Sequence, residues 1–86
     1  MAMEKLKSFL EEQAKENISE AVKAMKSDVR TETRILNMQF AIGQYYGILE
    51  IIDKLEDYDL LSKVFEENKL DSNMVMKEID RLAYYR

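Results

Sequence analysis

From Met3 to about Asp28 the apolar residues recur at steps of three and four: Leu6, Leu10, Ala14, Ile18, Ala21 or Val22, Met25, and then Val29. That spacing puts one apolar stripe on a helix of 3.6 residues per turn, with Phe9 widening it near its start. On the polar side, Glu11 and Glu12 precede Lys15 at helical spacing, a weakly stabilising arrangement. Ser8 and Glu11 have the spacing of a capping box, which reads as a coincidence inside a helix that begins earlier.

The second segment, about residues 31–57, has a different pattern. From Ile35 to Leu49 there are 15 residues without a charge. At about 100° per residue their apolar side chains occupy almost the whole circumference of a helix. The run is shorter than the ~20 residues that cross a bilayer, and Asn37, Gln39 and Gln44 interrupt it, so no membrane span is expected. Between these two segments, Ser27, Asp28, Val29, Thr31 and Thr33 lower helix propensity. A turn near residues 27–32 is therefore expected, with Asp28 as a candidate cap; the competing possibility is one unbroken helix, since neither Pro nor Gly intervenes.

A third helix is expected from Asp57–Asp59 to about Lys69, with Leu60, Leu61, Val64 and Phe65 as its apolar face. The stretch Asn68-Lys-Leu-Asp-Ser-Asn73 reads as a turn, after which Asp71 or Ser72 caps a fourth helix. In that helix Val75, Ile79 and Leu82, with Met76 and Ala83, face inward. The fold class is therefore all-α, one domain over residues 1–86: a small bundle of three or four helices, a helical hairpin plus two short C-terminal helices. Composition agrees, because the chain has 2 Gly and no Pro, and is rich in strong helix formers.

A chain of this length buries only about 60–65% of its unfolded surface. Covering a helix that is apolar all round is then most simply achieved by self-association. A heterologous partner, or complete wrapping by the other helices of a monomer, are the alternatives. The candidate interface residues are Ile35, Met38, Ile42, Gly43, Tyr45, Tyr46, Gly47 and Leu49. Gly43 and Gly47 form a G-x-x-x-G pair, which allows a close helix crossing either between copies or within the chain.

Charge and chemistry narrow the functional classes. Lys and Arg total 13 against 17 Asp and Glu, a formal net charge of −4, with no basic stripe to neutralise phosphates. Direct nucleic-acid binding is thus not expected. His and Cys are both absent, which removes imidazole bases, thiolate nucleophiles, disulfides and zinc sites of ordinary ligand type. Glu56, Asp57 and Asp59, with Asp53 one turn earlier, crowd together. An EF-hand loop starting at Asp57 nevertheless fails, with Ser62 in place of its Gly and Asn68 in place of its final Glu, and the group reads as a solvated helix junction. No phosphate loop or serine-nucleophile motif occurs. No catalytic residue, metal or cofactor is therefore expected. The first residues carry no signal-peptide pattern, so a cytoplasmic location (the host cytoplasm for a viral protein) or a virion is expected.

The stretch from Arg34 to Ile52, Arg-Ile-Leu-Asn-Met-Gln-Phe-Ala-Ile-Gly-Gln-Tyr-Tyr-Gly-Ile-Leu-Glu-Ile-Ile, resembles small helical proteins encoded by tailed bacteriophages. Those carry an amphipathic N-terminal helix, then an Arg, a run leading to Gly-Gln, and paired aliphatic residues. The matching positions are Arg34, Gly43, Gln44, Leu49 and Ile52, and the likeness covers about residues 5–55. Relatives of that kind often have a Pro soon afterwards, whereas this chain continues with Lys-Leu-Glu-Asp-Tyr-Asp. The resemblance implies a viral origin and transfers no site residue. The leading expectation is a non-enzymatic, self-associating interaction protein, serving as a virion or assembly component or binding a host protein. The alternative is a module that binds or sequesters a nucleotide between subunits, in the manner of anti-defence proteins, through Arg34, Tyr45, Tyr84, Tyr85 and Arg86, with Tyr46 beside them.

Overall fold

Among the described residues, 2–84 of the computed structural model, three helices follow one another: α1 (Ala2–Lys26), α2 (Thr31–Lys54) and α3 (Tyr58–Tyr84). They pack pairwise into a rod of 47 × 17 × 17 Å. The expected turn between α1 and α2 is present as residues 27–30. Asp28 does not cap α2. The N-cap is Arg30, extended at φ −55° and ψ 147°, and no side chain bonds there. Instead the Ser27 hydroxyl donates to the Ala24 carbonyl at 2.8 Å, closing the end of α1.

The junction between α2 and α3 is tighter. Leu55 and Glu56 leave α2 through backbone bonds to the Ile51 and Asp53 carbonyls. Glu56 adopts φ 58°, the left-handed conformation that normally selects Gly after a helix. Asp57 then starts α3 by accepting the Leu60 N–H at 3.0 Å, an N-cap bond.

One expectation fails here. Residues 68–73 do not form a turn, neither Asp71 nor Ser72 caps a fourth helix, and the two short C-terminal helices are a single one of 27 residues. The turn-forming side chains are absorbed by the helix. Asn68 donates to the Val64 carbonyl one turn back at 2.8 Å, which satisfies a buried amide without breaking the backbone ladder. Val64, Asn68, Ser72, Val75, Ile79 and Leu82 then form one continuous buried face. Two small polar residues interrupt its hydrophobicity but not its period.

The core combines that face with Leu10, Ala14, Ile18 and Ala21 of α1 and with Ile35, Met38, Ala41, Ile42, Tyr45 and Ile52 of α2. Leu6, Val29, Phe65 and Ala83, expected on the inner faces, are exposed. The Lys7–Asp57 ion pair at 2.7 Å and the Lys63–Glu11 pair at 2.9 Å tie α1 to the start and second turn of α3.

Candidate functional site: the outward face of α2

Helix α2, uncharged over residues 35–49, is covered on one side only. Its inward face steps through Ile35, Met38, Ile42, Tyr45 and Ile52. Directly opposite, Leu36, Phe40, Gly43, Gly47 and Ile51 step by four, three, four and four residues along the outside. Leu36 is 65% exposed, Phe40 70% and Ile51 46%. No charged residue lies within this strip, which runs for about 22 Å at 1.5 Å per residue. Beside Phe40, an open groove toward α1 is lined by Ala24, Val29, Asn37 and Gln44 together with the charged Glu20 and Lys23.

The two glycines define the character of the face. Apart from the adjoining residues and the helix's own backbone, no described heavy atom lies within 4 Å of where a Cβ would stand at Gly43 or Gly47. The G-x-x-x-G pair therefore serves no close crossing inside the chain. Each glycine costs the helix about 1 kcal/mol relative to Ala, and within one chain nothing offsets that cost.

Of the eight interface residues expected from the sequence, Ile35, Met38, Ile42 and Tyr45 are buried in the chain's own core. Leu49 and Gly47 are half-buried, while Gly43 and Tyr46 are exposed. Leu36, Phe40 and Ile51 were not among the eight, and they contribute most of the exposed apolar strip. A helical wheel centred opposite the buried face identifies them once that face is known.

Of the residues considered for a ligand, Arg34 and Tyr45 are set well apart. Arg34 and Tyr45 are 11 residues apart on α2, about 16 Å along its axis. Tyr84 is the last described residue of α3, at the end of the rod where α2 begins, and Tyr85 and Arg86 lie outside the described residues. The Tyr45 and Tyr46 rings meet at 5.5 Å, tilted by 49°. The Tyr45 hydroxyl is buried without a hydrogen-bond partner among the described residues, and so is Arg34 Nε. Burial, with a smaller contribution from Tyr46, pushes the Tyr45 phenol above its ordinary pKa.

The acidic junction is engaged in structural bonds. Hydrogen bonds from Lys7 and from the Leu60 N–H hold the Asp57 carboxyl below its ordinary pKa. Among the described residues no group of three or more acidic side chains is placed to hold a metal ion, and no helix is long and apolar enough to cross a membrane.

Compared with protein-family models, curated proteins and solved structures, the chain finds no match in any of the three.

Proposed function

We propose that the protein is a non-enzymatic helical interaction module that works as a homo-oligomer, held together through the outward face of α2. The observation that carries this reading is the strip Leu36, Phe40, Gly43, Gly47 and Ile51, apolar and free of charge, with Gly47 half-buried and the other four exposed. A surface strip of this kind normally marks a contact site. The placement of two glycines on it, where they lower helix stability and a Cβ would meet no neighbouring element, supports a role for close backbone approach in a contact outside the single chain. The likeness of residues 34–52 to small helical phage proteins supports a viral setting, with a role in the virion, in assembly or in binding a host protein.

Sedimentation velocity across roughly 5–500 μM tests the reading. A mass that rises with concentration is expected, and Phe40→Ser should return the protein to its 10.2 kDa monomer with its helical signal intact. A wild-type monomer throughout that range would overturn the reading.

A further inference from the structure

The exposed strip of α2 is complementary to itself when reversed. About a point between Gly43 and Gln44, Leu36 is the mirror position of Ile51 and Phe40 that of Gly47. Two copies of α2 laid antiparallel about that point bring Phe40 of each helix over Gly47 of the other. Phe40 projects, 70% exposed, and the Gly47 position is bare to 4 Å. A large side chain thus meets an empty place twice by symmetry, and the aliphatic pair Leu36 and Ile51 meets at both ends.

The charges at the ends of the helix select the same orientation. Glu32 stands in the first turn of α2 and Lys54 in the last. They are 22 residues apart, about six turns, so they lie on the same side of the helix. In the antiparallel register, Glu32 of each copy approaches Lys54 of the other. A parallel pair leaves those two groups about 33 Å apart along the axis. Among the described residues their ion-pair partners are exposed, Arg30 at 3.7 Å for Glu32 and Glu50 at 3.4 Å for Lys54, and can be left at little cost. Antiparallel packing also opposes the two helix dipoles.

We infer that the occupant of this face is α2 of a second copy, packed antiparallel about a two-fold axis between Gly43 and Gln44, with Phe40 seated on Gly47. This rests on the self-association reading and gives it one geometry. The interface is isologous and closes at two copies. A contact through one helix face is smaller than the ~800 Å² per partner of a typical stable complex, so a concentration-dependent dimer is expected.

The chain has no cysteine, so one introduced thiol gives a single spin label per copy. Thr33→Cys, at the margin of the strip, and Gln44→Cys, at its centre, are labelled separately. The mass of each labelled sample is read by sedimentation. The antiparallel register separates the two Thr33→Cys labels by about 30 Å, twice the 10.5 residues to the axis at 1.5 Å each, and brings the Gln44→Cys labels within about 20 Å. Short distances at both sites in a dimer mean a parallel pair, which overturns the register and leaves self-association standing. Long distances at both sites in a dimer move the contact off α2 and overturn register and face together. Monomeric mass with no dipolar signal, matched by monomeric unlabelled protein, overturns both. If only the Gln44→Cys sample is monomeric, the Thr33→Cys distance decides: about 30 Å supports the register, and a short distance overturns it.

Discussion

Lys7 of α1 reaches the Asp57 carboxylate at 2.7 Å, and the same carboxylate accepts the Leu60 N–H at 3.0 Å. One side chain thus starts α3 and holds the N-terminal half of α1 against the α2–α3 junction. Asp57→Ala removes both bonds and should lower the melting temperature by about 4–8 °C, followed by circular dichroism.

The dependence on pH follows from the directions of the shifts. Hydrogen bonds from Lys7 and Leu60 hold Asp57 below its ordinary pKa, and the hydrogen bond from Arg81 does the same for Glu78. Their stabilisation is complete above the ordinary carboxylate range, near pH 4, and is lost as pH falls through the lowered values. Lys63 is shifted upward by its hydrogen bond to Glu11, so its contribution is complete below the ordinary lysine value and lost as pH rises through the raised one. The melting temperature should fall at both extremes. Asp57→Asn should reduce the acid limb and leave the alkaline limb unchanged.

Glu56 occupies the left-handed region at φ 58° without the freedom of a glycine. Replacing a residue there by Gly removes a steric cost that exceeds the added chain entropy. Glu56→Gly should stabilise the protein by about 0.5–1 kcal/mol in urea unfolding, with an unchanged slope.

The Tyr45 ring is 1% exposed and its hydroxyl has no partner among the described residues. Leaving such a group in the core costs about 1–3 kcal/mol. Tyr45→Phe keeps the ring and removes the cost, and should raise the unfolding free energy by about 1 kcal/mol. A loss of stability would show that the hydroxyl is bonded in solution.

Substitution at the glycines of α2 separates folding from association. Gly43→Ala should make the single chain more stable by about 1 kcal/mol, because the Cβ enters open space and the helix gains propensity. Gly47→Leu should likewise leave the rod folded, yet fill the place assigned to Phe40 of the second copy. Its sedimentation should be that of a monomer while its thermal unfolding is no weaker than that of the wild-type monomer.

Much of the fold was legible because periodicity survives tertiary packing. The stripe through Leu10, Ala14, Ile18 and Ala21 is the buried face of α1, and the run of weak helix formers after Lys26 marks a real break. Asn68 and Ser72 misled because residue type and residue period disagreed. Their types favour a turn, whereas their spacing from Val64 and Val75 continues a helical face, and the long helix keeps that face packed on its neighbours. The orientation of α2 was not legible. Within the fifteen uncharged residues the only polar markers of an outside are Asn37, Gln39 and Gln44, all exposed and flanking the strip, and they were too few to set it apart, so packing against α1 and α3 was needed to separate Met38 and Tyr45 from Leu36 and Phe40.

The links between helices are short, residues 27–30 and 55–57, and this bears on the order of events in the cell. Short connections between sequential antiparallel helices make most native contacts local, and chains of that kind reach their native state in microseconds to milliseconds. Encounter between two copies at micromolar concentration, at an ordinary rate of about 10⁶ M⁻¹ s⁻¹, takes on the order of a second. Under the proposed self-association, the rod would be complete long before it meets a second copy, and recognition would be a docking of finished surfaces rather than a mutual folding.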